Sequence, residues 1–343
     1  MKPIRIGLIG VNENSHCVQM HTRFHQYKDL FEVVGIAYPE NEKTRLPQKI
    51  EKLHKSWENA GLAPVPELTL DEILNDPTIE AVAVETDEIY CTKYALLAAK
   101  AGKHIHMEKP GGRELADFEE LIGIVKEKNL IFCPGYMYRY NPYVQELFGV
   151  IERGELGKIQ AVEAQMSRWD KPETRQWFEN FKGGMMFFLG CHLVDLIYRI
   201  QGQPQRVIPL NKSTGLDDIH TEDFAMVVLE YPHGTSFARV ISTERGGYRR
   251  RQFVVTGTEG TWELKPFEWG TEAQMYTRRN ISMRKKWGDP GEDSVTEAYD
   301  RYEAMLNHFA RCVRGEQENE FTPDYELEVF KLLLQCCGVK EEQ

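Results

Sequence analysis

Two residues of this chain have the type and the setting for proton and charge chemistry near neutral pH, Lys109 and His192. Lys109 stands in Glu108-Lys109-Pro110, directly behind the apolar run His104-Ile105-His106-Met107. That run reads as a strand, and a lysine at the carboxyl end of a parallel strand faces the ligand crevice of an open α/β sheet. Its ammonium can hydrogen-bond a substrate hydroxyl and stabilise an alkoxide as it forms. For a lone lysine, a surface position before a helix is the commoner explanation; position and company argue against it here. His192 lies in Gly183-Gly184-Met185-Met186-Phe187-Phe188-Leu189-Gly190-Cys191-His192-Leu193-Val194-Asp195, an apolar helix opened by a glycine pair. Asp195 follows three residues later, on the same helix face. An imidazole there could carry a proton in either direction. A lone histidine in an apolar helix is more often a satisfied core residue. The other nine histidines have no such company and are read as structural or surface residues.

A cofactor would sit at the turn after the first strand, Gly7-Leu8-Ile9-Gly10-Val11-Asn12-Glu13-Asn14-Ser15. A G-x-G-x-x-G turn sets backbone amides and a helix N-terminus against a pyrophosphate. Gly10 is in register, while Asn12 and Ser15 hold the second and third glycine places. Asn tolerates positive φ and Ser is small, so a cradle is possible; a plain strand-to-helix turn explains the motif equally well. The acid that would bind ribose hydroxyls is missing from the end of the second strand, where Tyr38 stands before Pro39 and Glu40. Three readings stay open: Glu40 reaches back, Tyr38 stacks, or Lys43 or Arg45 reads a 2′-phosphate. The candidate cofactor residues are Gly7, Gly10, Asn12, Asn14, Ser15, Tyr38, Glu85, Thr86, Glu108 and Lys109, for NAD or NADP.

Candidate substrate residues cluster in two further segments. Gly135-Tyr136-Met137-Tyr138-Arg139-Tyr140-Asn141-Pro142 combines aromatic rings with one arginine, suited to a polyol through Tyr136 and Arg139; packing at a domain seam is the alternative. Arg168 and Trp169, with Lys171 and Arg175, offer an indole face and cations of the kind that suit a sugar ring, or form a surface loop. Phe188 and Asp195 complete the set. Arg249-Arg250-Arg251 reads as a solvated turn. No H-E-x-x-H, G-x-S-x-G or G-x-x-x-x-G-K-[ST] motif occurs, and no His/Cys group has zinc spacing, so no metal is expected.

The elements that would position these residues fall into two parts. Ile4–Ile9, Phe31–Ala37, Glu80–Val84, His104–Met107 and Ile131–Cys133 read as buried strands alternating with helical patterns, among them 90–101 and 115–125. Such alternation implies a doubly wound parallel sheet. The stretch 40–60, broken by Pro47, reads as a solvated helix. Beyond it, 159–167, 224–231, 235–243, 252–256 and 261–264 read as strands joined by short glycine turns, hence an open, mostly antiparallel sheet. One helix, 185–200, is embedded there, and two more, 302–313 and 326–337, close the chain. The expected division is 1–128 for dinucleotide binding and 129–343 for substrate binding and oligomerisation, with room for the last helix to pack back on the first domain.

The chain has 343 residues, 41% of them hydrophobic, enough for ordinary cores in about two domains. With 42 basic and 53 acidic residues its net charge is −11, which argues against nucleic acid and anionic membrane surfaces as partners. No run approaches a membrane span, and the amino terminus does not read as a signal peptide. Seven scattered cysteines suit buried thiols in a reducing cytoplasm.

Taken in order, these motifs resemble the Gfo/Idh/MocA oxidoreductase family along nearly the whole chain. The resemblance rests on Ile4–Ser15, 99–104 leading into Glu108-Lys109-Pro110, 135–142, 154–159, Gly183–Asp195 and 256–261. It implies an N-terminal Rossmann domain and a C-terminal α/β domain with an open sheet. It implies that Lys109 holds the reacting hydroxyl while His192 takes its proton and hydride passes to a nicotinamide. The implied activity is an NAD(P)-dependent dehydrogenase or reductase acting on a sugar, cyclitol or glycoside, in a homodimer or homotetramer. A redox-neutral, NAD-dependent glycoside-cleaving or eliminating enzyme and a non-catalytic ligand sensor are the alternatives on the same fold. Phe188 stands where many members carry an Asp, four residues before the histidine.

Overall fold

The computed structural model describes residues 2–271 and 273–339. They form two compact units: residues up to Gly135 with Tyr302–Phe330, and Tyr136–Arg301 with the residues from Lys331 on.

The first unit alternates strands and helices: β1 (Ile4–Ile9), α1 (Cys17–Gln26), β2 (Phe31–Ala37), α2 (Glu42–Arg45), α3 (Pro47–Asn59), α4 (Leu70–Asn75), β3 (Ala81–Val84), α5 (Cys91–Lys100), β4 (His104–Met107), α6 (Leu115–Glu127) and β5 (Phe132–Pro134). The strands make a five-stranded parallel sheet in the order β2-β1-β3-β4-β5. An isolated parallel bridge, Ile36 to Glu67, extends its β2 edge. This is the doubly wound sheet that the alternation implies. All four residues of β3 are buried, as expected when both faces of a parallel sheet are covered. Pro47 does not break a single helix over 40–60 but starts α3, where its missing N–H costs nothing.

The second unit holds α7 (Pro142–Glu152), β6 (Ile159–Gln165), α8 (Pro172–Trp177), α9 (Cys191–Gln201), β7 (Arg206–Pro209), β8 (Phe224–Tyr231), β9 (Gly234–Ile241), β10 (Gln252–Gly257), β11 (Thr261–Leu264), β12 (Trp269–Thr271), β13 (Gln274–Tyr276), β14 (Arg278–Ser282) and β15 (Glu292–Val295). Eight of these strands pair in the order β15-β14-β11-β10-β6-β9-β8-β7. Every pairing in that sheet is antiparallel except β6 with β9. In β8, Ala225, Val227 and Leu229 are buried while Met226 and Val228 are half-buried, so one face makes the core and the other is partly open.

Several sequence expectations need correction. The embedded helix is not one regular helix: Met186–Gly190 is a wider π turn that leads into α9. Strands β7 and β12–β15 are not expected from the sequence because they are short and lack a clear apolar alternation. Arg251 is not part of a solvated turn; its side chain is buried against Glu268, while Arg249 and Arg250 are exposed.

The chain closes with α10 (Glu303–Val313) and α11 (Pro323–Cys336). The first part of α11 packs on α6: the Phe330 and Phe118 rings lie 4.6 Å apart, and Lys126 pairs with Asp324 at 2.6 Å. Phe118 also meets Phe132 edge-on and is fully buried. Phe118→Ala should therefore cost about 3–5 kcal/mol of stability, read as a lowered denaturant midpoint.

Candidate active site

In the first unit the polar groups gather where the parallel strands end. Ile9, Val84 and Met107 lie side by side at the carboxyl ends of β1, β3 and β4. The chain leaves them through Gly10, Glu85 and Glu108. Gly10 has φ +81°, and a Cβ there would lie 2.6 Å from the Thr86 Cβ, so the turn needs glycine. Gly7 is different. It lies inside β1, and the space its Cβ would take belongs to the Ile73 side chain of α4. Its lack of a side chain serves packing.

The turn amides are met by the protein's own side chains. Ser15 N–H donates to Asn12 Oδ1 at 2.9 Å, and Glu13 N–H to Asp87 at 3.3 Å. Asn12 is buried and its amide donates to the Glu85 carbonyl at 3.0 Å. It thus ties β1's turn to the end of β3, a task glycine could not perform. Asn14 is half-buried in the same turn.

Glu42, in α2, accepts from Val11 N–H at 3.0 Å and from the Thr86 hydroxyl at 2.7 Å. Burial pushes its carboxyl up to about 8. Tyr38 points its hydroxyl at His54, 3.3 Å away. Glu40 is held by Lys93 and Tyr94, Lys43 by Glu67, and Arg45 by Asp87. Each group offered as a reader of the ribose or its phosphate is thus already engaged within the protein.

Lys109 follows the end of β4, and its peptide bond to Pro110 is cis. Its ammonium lies 3.3 Å from Glu108, and both side chains are buried. Glu85 and Glu88 complete the group, each wholly buried, and Ser15 donates to Glu88. Burial pushes all three carboxyls up, Glu85 to about 8, Glu88 and Glu108 to about 7, and Lys109 partly offsets this. Sequence reading missed Glu42 and Glu88. The visible signal was Glu85-Thr86-Asp87-Glu88, an acidic run directly behind an apolar strand.

In the second unit His192 is buried in the first turn of α9. Tyr136 and Tyr138 meet its ring edge-on, at 5.8 and 4.9 Å. Tyr138 stacks on Phe267 and donates to Glu268, which also pairs with Arg251 at 2.7 Å and Arg301 at 2.8 Å. That buried network fixes one wall of the imidazole. Tyr138 was not singled out from sequence; its role depends on residues more than a hundred positions away.

Arg139 and Asp195 are fully buried and form a forked pair with contacts of 2.6 to 3.0 Å. The guanidinium also lies 4.5 Å from the centre of the Tyr136 ring. Both residues were expected to bind substrate; the structure gives them to each other and to the placement of Tyr136. Phe188 packs among Trp177 and Phe178, with the Arg168 guanidinium 5.1 Å from its ring. Arg168 pairs with Asp170, and Arg175 is buried against Asp217 and Asp223. Trp169 is 47% exposed, with Arg245 over its ring.

A turn that requires glycine at the carboxyl edge, beside the switch between β2-β1 and β3-β4, fits a dinucleotide. Comparison with known proteins decides the family. Residues 4–136 match the model described as oxidoreductase family, NAD-binding Rossmann fold, and residues 144–263 match the GFO/IDH/MocA C-terminal domain. The chain belongs to the GFO/IDH/MocA family. Its amino-terminal part matches that family's NAD-binding domain. The chain is 25% identical over 321 residues to trans-1,2-dihydrobenzene-1,2-diol dehydrogenase of Mus musculus, covering 89% of this chain and 91% of that one. It is 27% identical over 165 residues to scyllo-inositol 2-dehydrogenase (NADP(+)) IolW of Bacillus subtilis, 47% of this chain and 46% of the relative. Other matches are also partial, spanning 59% of an uncharacterized oxidoreductase of Rhizobium meliloti and 57% of the bovine dihydrodiol dehydrogenase. An aldose-aldose oxidoreductase structure from Caulobacter crescentus superposes with a TM-score of 0.78 at 18% identity, over 98% of this chain and 97% of the other, a likeness of fold. Among the described residues no helix is long and apolar enough to cross a membrane, and no cluster could hold a metal.

Two outcomes follow from this geometry. Arg139→Ala would leave the Asp195 charge buried without its forked partner, at a cost of about 3–5 kcal/mol in chemical denaturation. Glu85, Glu88 and Glu108 hold protons more firmly folded than unfolded, where such groups titrate near 4.5. The folded state therefore binds the extra protons between that value and about 8, and stability should fall as pH rises through this window. A thermal melt series across it should flatten in Glu85→Gln/Glu88→Gln.

Proposed function

We propose that the protein is a dehydrogenase or reductase of vicinal hydroxyl compounds: a sugar, a cyclitol or a related cyclic diol. The observation that carries the reading is Lys109, a buried ammonium at the carboxyl end of β4 in a Rossmann sheet. The names of the relatives support the substrate class, since a dihydrodiol, an inositol and an aldose all carry adjacent hydroxyls.

In this reading Lys109 hydrogen-bonds the reacting oxygen and stabilises its charge as the O–H bond weakens. His192 takes the hydroxyl proton in oxidation and returns it in reduction. Hydride chemistry would be supplied by a nicotinamide held at these strand ends. One C–H and one O–H bond break for each carbonyl formed, so hydride and proton leave the substrate by separate routes. Gly10, Asn12, Asn14 and Ser15 shape the dinucleotide turn. The exposed face of Trp169 and the side chain of Arg168 supply a surface suited to a polyol ring. Tyr138, Arg139 and Asp195 are positioning residues for the wall around His192. The half-buried Met226 and Val228 support a homodimer or homotetramer formed through the open sheet face. The seven buried, unbridged cysteines support a cytoplasmic location.

Binding of NAD(H) and NADP(H), followed by fluorescence, should precede a screen of sugars, cyclitols and cyclic diols with nicotinamide absorbance as the readout. Lys109→Ala and His192→Asn should each lower kcat by about 10²–10⁴, and His192→Asn should leave cofactor affinity within a few-fold. Turnover unaffected by both substitutions would reject the assignment.

A further inference from the structure

The carboxyl groups around Lys109 outnumber what its own charge can answer. Glu85, Glu88 and Glu108 lie at the ends of β3 and β4 and are buried with the ammonium of Lys109. Apart from the neighbouring Glu108 carboxyl, neither oxygen of Glu85 meets a donor; one oxygen of Glu88 meets none, while Glu108 faces the Lys109 ammonium at 3.3 Å. His106 approaches Glu85 at 3.5 Å, but burial pushes that imidazole down to about 4, so it is neutral at physiological pH. Asp87 is turned to Arg45 and the Glu13 amide. Ser15, from the start of α1, bonds one oxygen of Glu88. The thiols of Cys17 and Cys91 near these carboxyls are held protonated and add no charge. The neighbouring groups thus leave an excess of acceptors and of potential negative charge in a dry place.

A structural purpose does not explain this, since an amide or an apolar residue would sit there at less cost. A cationic ligand would. On the reading above, Lys109 holds the oxygen of the carbon that exchanges hydride. Hydride transfer needs reacting atoms about 3–3.5 Å apart, so the nicotinamide ring must come within reach of the neighbours of Lys109. That ring is a cation when oxidised and neutral when reduced.

We propose that Glu85, Glu88 and Glu108 form an electrostatic seat for the oxidised nicotinamide, so that the protein binds the oxidised cofactor more tightly than the reduced one. The inference rests on the proposed role of Lys109. Burial favours the protonated carboxyls in the free protein, and a positive ring favours their ionised form, so binding of the oxidised cofactor releases protons. Its affinity therefore rises with pH, while that of the reduced form stays nearly level. By linkage, the bound couple becomes a stronger hydride donor, drawing the on-enzyme equilibrium towards the oxidised cofactor and the alcohol. In that direction hydride goes to the carbonyl carbon and His192 gives the proton to its oxygen.

The test is calorimetric titration of the full-length protein with both redox forms of NAD and of NADP. It is run at about pH 6 and about pH 9, in two buffers of different ionisation enthalpy. For whichever nucleotide binds, the oxidised form should bind at least about tenfold more tightly at the higher pH, and the preference should shrink at the lower. Proton release should accompany the oxidised form alone. Glu85→Gln/Glu88→Gln should cut the preference several-fold by weakening the oxidised form, with the reduced form bound as before, which also reports that the variant is folded. Equal affinities at both pH values, or a preference untouched by the double substitution, would overturn the seat and leave the oxidoreductase reading standing. If no nucleotide binds in any form, the cofactor reading falls and the seat with it.

Discussion

A parallel sheet with helices on both faces has nowhere to put polar chemistry except at its strand ends, and the first unit is organised by that constraint. Ile9, Val84 and Met107 finish level, so the residues that follow, Gly10, Glu85 and Glu108, are brought side by side without being neighbours in the chain. Backbone pairing does the positioning. Glu85 N–H donates to the Ile9 carbonyl and Glu108 N–H to that of Val84, each at 2.8 Å, which carries the sheet's order one residue past its strands. Asn12 adds a side-chain tie to the same edge. Once the strands are in register, the ammonium of Lys109 and three carboxyls have no other place to go.

The second unit solves a different problem, holding an imidazole in a fixed place inside an apolar helix. His192 is lined by Tyr136 and Tyr138, and each ring is braced by a buried ionic group. The Arg139–Asp195 fork lies over Tyr136, and the cluster of Glu268 with Arg251 and Arg301 anchors the hydroxyl of Tyr138. Such groups are costly to bury and contribute geometry more than stability. Phe188 belongs to the other, apolar side. It continues an aromatic cluster with Trp177 and Phe178.

Family membership and the local departures fit together on these terms. The fold needs a glycine at position 10 and a strand-turn-helix around it, and both are present. No acid stands at the end of β2, and Glu42 reaches the Val11 amide from the next helix. Tyr38 is then free to contact His54, and Lys43 and Arg45 are drawn into pairs with Glu67 and Asp87.

The sequence by itself determined the two kinds of sheet, the turn at Gly10 and the candidacy of Lys109 and His192. These follow from local patterns: apolar runs that alternate with amphipathic helices, short glycine turns between strands, and a lysine directly behind a strand. The strands β7 and β12–β15 were not legible because they are short and partly exposed, and carry little hydrophobic period. Only the tertiary structure decided what Arg139, Asp195 and Arg251 do. Composition marks them as free charges, whereas folding buries each beside a partner 17 to 56 positions away. It alone assembled Glu85, Glu88 and Glu108 around Lys109, because parallel pairing joins strand ends that the chain keeps apart. Pattern is a property of neighbours in sequence; charge compensation is a property of neighbours in space.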